Sequence, residues 1–303
     1  MSYLPSNPPD CLDANLPDID LVIEPRQRDL GNLVVGRVLP SPRRRMVGPF
    51  LFCDEMGPAE LTPGTPLDVR PHPHINLATV TYLFDGEIVH RDSLGSDQAI
   101  TPGAINWMTA GRGIVHSERA HPRTAQRMHG LQLWCGLPSV SEETAPAFDH
   151  YPATTLPSVD RDGATIRVLA GEAYGVRAPV KTLSRLFYVD VHAREAMTLE
   201  VPDYPERAAY AVTGQVTADG TTYPRGAMLV LCKGKPVKLR LAAGTRMVML
   251  GGEPLDGPRH MFWNFVSSRP ERIEQAKQEW KAQSTDAFPK VPGDDQEFIP
   301  LPD

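Results

Sequence analysis

TYLFDGEIVH at 81–90, followed by ITPGAINWM at 100–108, has a counterpart in AYAVTGQVTA at 209–218 followed by TYPRGAMLVL at 222–231. Each copy reads as a run of β-branched and aromatic residues, a glycine turn, a second run, a Pro-Gly or Pro-x-Gly turn and a third run. The repetition predicts an all-β chain built on a duplicated barrel, since a sheet that closes on itself leaves few unpaired edges. Asp85-Gly86 is expected to be a tight hairpin turn, because glycine accepts the positive φ that such a turn needs.

Runs of strand character lie at 77–84, 87–91, 105–108, 113–118 and 128–135 in the first half. The second half repeats them at 185–191, 208–212, 227–231, 237–241 and 246–250, with 31 prolines and 24 glycines punctuating the whole chain. One helix is expected at 268–280, with Ser268 and Glu271 as a capping box and Ile273, Ala276 and Trp280 on one face covering a sheet. From Ser284 onward, Pro289, Pro292, Pro300 and Pro302 stand among acidic residues, which predicts an extended surface arm that buries little.

The chain has 303 residues, 41% of them hydrophobic, enough for two domains of ordinary size. No stretch approaches the roughly 20 apolar residues of a membrane span, and MSYLPSNPPDCLDANLPDID lacks the basic start and apolar run of a secretory signal, so a cytoplasmic protein without membrane contact is expected. Cys11, Cys53, Cys135 and Cys232 are scattered with no CxxC pair; they read as packing residues in a reducing compartment rather than zinc ligands. A net charge of −6 offers nucleic acid no general attraction. Arg43-Arg44-Arg45 beside Pro42 reads as a solvated loop.

Chemistry concentrates in two short patterns. Side chains alternate along a strand, so His72 and His74 project to the same side while Pro73 points away. His116 and Glu118 repeat that i, i+2 spacing on a second predicted strand, and together the four could converge on one metal ion inside a barrel. Three imidazoles and a carboxylate leave positions open on iron, manganese, nickel or cobalt and lack the thiolates that favour zinc or copper(I); ligand type alone does not choose among first-row metals. Of the other histidines, His90 reads as a surface residue or one that supports the ligands, His121 and His150 as loop residues, and His129 as a residue that could orient a ligand by hydrogen bonding.

The stretches HPHINLATVTYLFDGEIVHRDSLG (72–95), PGAINWMTAGRGIVHSE (102–118) and HGLQLWCGLP (129–138) closely resemble the pirin family of the cupin superfamily. The likeness begins at RMVGPFLFCDEMGP (45–58) and continues through GEAYG (171–175), VTG (212–214) and LGGEPL (250–255). It implies two cupin, jelly-roll-like β-barrels in tandem with a short C-terminal helix: a metal-binding barrel at 16–150, a barrel lacking metal ligands at 151–268, and a helix and extended arm at 269–303. It further implies that His72, His74, His116 and Glu118 bind one mononuclear transition metal, iron foremost, with manganese, nickel, cobalt, copper or zinc as alternatives. Two departures stand out. Ala78-Thr79 occupies the place where the ordinary cupin pattern has a glutamate, a shift that pirins share. RHMFWNFVSS at 259–268 differs from the GPFVMNT-like stretch common in the family.

By the same resemblance, the expected activity is that of a quercetin 2,3-dioxygenase, which opens a flavonol ring with O₂ and releases carbon monoxide, with Glu118 as ligand and base together. Phe52, Trp107 and Met108 are candidates for an apolar pocket wall and Asp54 for a neighbour of the site. The alternative is a non-catalytic, iron-dependent redox sensor whose partner is a transcription factor or a metabolic enzyme.

Overall fold

The computed structural model describes residues 17–29, 33–120 and 123–302. Two β-sandwiches follow one another. In the first, a seven-stranded sheet runs in spatial order Ala147–Tyr151, Ile105–Thr109, Leu77–Asp85, Gln126–Gly136, Phe50–Leu61, Val34–Leu39 and Arg26–Asp29; it faces a four-stranded sheet ordered Leu67–His74, Ile114–Ala120, Ile88–Asp92 and Asp97–Ile100. In the second, the larger sheet runs Ile19–Ile23, Met228–Leu231, Glu206–Thr213, Arg246–Gly252, Leu186–Ala193, Ala164–Ala173 and Ser158–Arg161, with Val176–Arg177 beside Ala164–Ala173. Its four-stranded partner is ordered Met197–Glu200, Lys238–Leu241, Gln215–Ala218 and Thr221–Pro224. Ile19–Ile23 precedes the first barrel in sequence but pairs with Met228–Leu231 of the second.

The period-2 alternation of the central strands shows where the core divides. In Leu77–Asp85, residues Ala78, Val80, Tyr82 and Phe84 face a cluster shared with Tyr188, Tyr210, Val248 and Leu250, so the two large sheets pack back to back. Leu77 and Leu83 face the opposite way, into the first barrel. Burial on both faces explains why this strand reads as a nearly continuous apolar run. Phe187, Val189 and Val191, alternating with Tyr188, help fill the interior of the second barrel. Polar ties cross the seam: the Tyr82 hydroxyl donates to Asp190 at 2.7 Å, a carboxylate held from its own sheet by Arg246, and the Tyr210 hydroxyl donates to Glu55 at 2.7 Å.

Several expectations need correction. Asp85-Gly86 is no hairpin: Leu77–Asp85 and Ile88–Asp92 lie in different sheets, and the turn is a corner at which the chain crosses between them. Gly214 makes the equivalent crossing in the second half, and both glycines have positive φ, 88° and 75°. The helix spans Pro270–Lys281 with Arg269 at its N-cap and no side-chain cap; Ser268 instead donates its hydroxyl to Glu142, and Pro270, which needs no amide partner in the first turn, opens the helix. Ile273, Ala276 and Trp280 are buried on one face as expected. The arm buries more than expected, for its own Phe288 and Val291 are buried beside Trp280. Arg44 is buried and paired with Asp20 at 2.5 Å, while Arg43 is exposed. Cys53 and Cys135 are buried free thiols, but Cys232 is disulfide-bonded; Cys11 lies outside the described residues. Among the described residues no helix is long and apolar enough to cross a membrane.

Candidate metal centre

The inner face of the four-stranded sheet of the first barrel is a polar platform. Leu67–His74 pairs antiparallel with Ile114–Ala120, setting His116 opposite His72 and Ile114 opposite His74. Between His116 and Glu118 the register slips, so that Arg70 and Pro71 together oppose Ser117. Pro71 has no amide to donate, and a bulge is where a sheet tolerates that loss. On its other side Ile114–Ala120 pairs with Ile88–Asp92, setting Asp92 opposite His116 and His90 opposite Glu118. Directly opposed residues share a face, and so three adjacent strands each contribute an i, i+2 pair to one surface: His72 and His74, His116 and Glu118, His90 and Asp92.

The three expected imidazoles come together. Ring centroids lie 4.4 Å apart for His72 and His116, and 5.0 Å apart for His74 with either neighbour. One nitrogen from each ring falls within 4.8 Å of the other two. His72 Nδ1 meets the Arg70 carbonyl at 2.8 Å and His74 Nδ1 meets the Asn264 carbonyl at 3.1 Å. A carbonyl only accepts, so each Nδ1 carries the proton and each Nε2 keeps a bare lone pair. His116 Nε2 is buried with no hydrogen-bond partner among the described residues.

Burial pushes the His72 imidazolium pKa down to about 4, the nearby His90 adding to the effect and the Arg70 carbonyl opposing it. His74 and His116 are held well below the ordinary histidine value for the same first reason. Neutral rings with unshared lone pairs at close quarters are what a transition metal requires. On this evidence the donor set fits a metal ion.

Glu118 stands differently. Its carboxylate groups with His90 and His116 rather than with all three imidazoles, and it accepts a hydrogen bond from Thr81 Oγ1 at 2.9 Å. Burial raises its pKa above the usual carboxyl value, against the pull of His90, Thr81 and Gln132.

Glu118, His72 and His74 open on a cavity of about 380 Å³ whose walls include Phe52, Trp134, Met261, Trp263 and Ile299. That volume lies in the range of small-molecule sites. Phe52 and Trp134 stack with centroids 4.1 Å apart. Met261 and Trp263 come from a hairpin of His260–Phe262 with Phe265–Ser267, turned by Trp263 and Asn264, with Trp263 in the left-handed region at φ 51°. This hairpin lies within the stretch that departs from the family pattern. Phe265 bridges to Ile75, so the hairpin sits against the His74 strand.

The remaining sequence candidates divide. Phe52 and Asp54 line the cavity, and Asp54 is paired with Arg37 at 2.7 Å. Trp107 faces the seam between the barrels, and Met108 packs beside Leu77 and Ile114 without lining the cavity. His129 does not orient a ligand; its Nε2 is engaged with Glu55 at 2.8 Å. His90, not His129, is the histidine in contact with one of the three imidazoles, His116. His150 lies on a strand, bonded to Asn106, while His121 lies outside the described residues. Sequence reasoning missed Asp92, although His90-Arg91-Asp92 has the same i, i+2 spacing as the two ligand patterns. It also missed Trp134, Trp263 and Ile299, which carry no local signal.

The chain is similar to several known proteins. Residues 32–135 match the model of the Pirin family, and residues 186–286 match the Pirin C-terminal cupin domain. A pirin-like protein of Caulobacter vibrioides is 49% identical over 292 residues, covering 94% of this chain and 100% of the relative. A Pseudomonas aeruginosa protein provisionally named a quercetin 2,3-dioxygenase is 39% identical over 254 residues, covering 83% and 80%. The crystal structure of quercetin 2,3-dioxygenase from Acinetobacter baumannii superposes with a TM-score of 0.87 at 35% identity, covering 93% of this chain and 95% of that one.

Proposed function

The chain belongs to the pirin family, and on that footing we propose that its first barrel is the active site of an iron-dependent dioxygenase that opens the flavonol ring of quercetin-type substrates with O₂ and releases carbon monoxide. The observation that carries this reading is the union of three neutral imidazoles with an aromatic-walled cavity of about 380 Å³. The named activity of the Acinetobacter and Pseudomonas relatives supports it.

His72, His74 and His116 would hold the ion, with Glu118 as fourth ligand. When bound, the metal supplies Lewis acidity toward a substrate hydroxyl and a redox centre for O₂. The protein does the rest. Phe52, Trp134 and Trp263 offer flat apolar surface to a planar polycyclic substrate, and Met261 and Ile299 close the walls against water. Glu118, which lines the cavity, would take the proton of the flavonol 3-hydroxyl. Thr81 and Gln132 hold that carboxylate in place meanwhile.

The test is aerobic turnover of quercetin by iron-reconstituted protein, following loss of flavonol absorbance together with carbon monoxide release. Wild type is expected to turn over, His72→Ala to lose both metal and activity, and Glu118→Gln to lose at least 100-fold in rate, the usual scale for a general base. Absence of turnover with iron shown to be bound would overturn the assignment in favour of a redox-sensing interaction protein.

A further inference from the structure

His72 and His74 have their tautomers set by backbone carbonyls, but among the described residues no carbonyl bonds the His116 ring. Its Nδ1 instead faces His90 Nδ1 at 3.4 Å, and His90 Nε2 meets Asp92 Oδ2 at 2.9 Å. Asp92 is fully buried, and its other oxygen, Oδ1, accepts the backbone amides of Leu94 at 2.9 Å and Ser96 at 3.1 Å. His90 is clamped as well, its ring stacked on Phe148 with centroids 4.2 Å apart.

Polarity propagates along this chain in one direction. A carboxylate only accepts, so His90 Nε2 carries its ring's proton and His90 Nδ1 presents a lone pair. That lone pair can be satisfied only if His116 Nδ1 carries a proton, which leaves His116 Nε2 bare. His116 Nε2 is the buried, unpartnered nitrogen of the site.

We propose that Asp92 and His90 are positioning residues which lock His116 in the Nδ1-protonated tautomer, so that its Nε2 is ready to bind the metal before the metal arrives. The proposal rests on the metal-centre reading above but not on the reaction assigned to it. It makes the HRD sequence at 90–92 the third functional i, i+2 pair of the barrel.

Asp92→Asn tests the polarity directly. Because Leu94 and Ser96 both donate to Oδ1, the asparagine carbonyl is obliged to stay with them, and its amide NH₂ turns toward His90. That reverses every bond in the chain and places a proton on His116 Nε2. Long-range ¹⁵N–¹H correlation spectra of the metal-free protein read the tautomer; wild type is expected to show His116 protonated at Nδ1 and Asp92→Asn at Nε2. Zinc affinity, measured by competition with a chromophoric chelator, is expected to fall about 10–100-fold in Asp92→Asn, the scale seen when a ligand loses its supporting hydrogen bond. His90→Phe keeps the ring stacked on Phe148 but removes the acceptor, and a similar loss is expected, so the test survives if the first variant fails to fold. Wild-type His116 protonated at Nε2, folded variants that keep zinc affinity within threefold of wild type, or zinc-loaded protein in which His90 itself is the coordinated ring would each overturn the proposal. None of these readings involves turnover, so the dioxygenase assignment can fail without touching them.

Discussion

At the scale of single residues, burial keeps the clustered imidazoles of the candidate metal centre unprotonated. His72 titrates near 4 in the folded chain against an ordinary value near 6.5. Between those values the unfolded chain binds the proton that the folded chain refuses, so stability rises with pH across the window. His72 alone contributes on the order of 3 kcal/mol at one full pKa unit per 1.36 kcal/mol, present in full above about pH 6.5 and lost as pH falls through about 4. His74 and His116 act in the same sense. Glu118 and Asp54, both raised by burial, act oppositely above the ordinary carboxyl value and make the net slope shallower. Urea denaturation of metal-free protein is therefore expected to show lower stability at pH 4.5 than at pH 7, and His72→Ala is expected to flatten the dependence. Equal stability at both pH values would contradict the assignment of neutral, desolvated imidazoles.

At the scale of elements, the candidate site is built by three short strands whose alternate residues face inward together. The corners feeding those strands are as constrained as the strands themselves. Gly86 turns the chain from one sheet to the other at φ 88°, and a Cβ there would lie 2.7 Å from the Arg127 carbonyl oxygen. Gly220, at φ 73°, has none of the described residues within 4 Å of the same added atom. Gly86→Ala combines left-handed backbone strain with a backbone collision and is expected to cost about 2–5 kcal/mol, whereas Gly220→Ala carries the strain alone, about 1–2 kcal/mol. Comparing the two denaturation midpoints checks this. Equal shifts would show that the corner at Gly86 can move without consequence.

At the scale of the whole molecule, the C-terminal segment completes the first barrel. Arg119, on the same strand as His116 and Glu118, donates to Asp294 at 2.8 Å, and Ser117 Oγ donates to the same carboxylate at 2.7 Å. The Ile299 amide donates to the Pro71 carbonyl at 2.8 Å, filling an acceptor on the ligand strand while the Ile299 side chain joins the cavity wall. Phe288 packs on Trp280 and Phe265 beneath the arm. Phe288→Ala is expected to destabilise the protein by about 3–5 kcal/mol, and to raise the KM for quercetin because the wall that Ile299 contributes loosens. A KM unchanged in a variant of lowered melting temperature would confine the arm to a structural role.

Much of this was legible in the chain itself. Alternation in PHPH and HSE placed the side chains of each pair on one face, because the two-residue period of a strand is a local property, and the Gly-punctuated repeat announced two barrels. The helix face of Ile273, Ala276 and Trp280 was equally local. What local pattern could not convey is which sheet each strand joins: Asp85-Gly86 looks like a hairpin in sequence, and whether the next strand folds back or crosses over depends on the pairing of Ile88–Asp92 with Ile114–Ala120. The same pairing decides that His90, not His129, stands behind His116, and that Asp92 stands behind His90. Trp263 and Ile299 reach the cavity from more than 180 residues beyond His74. Side-chain direction along a strand is set by the backbone's own geometry, whereas the neighbours that a side chain meets are set by long-range pairing, and only the closed barrel specifies those.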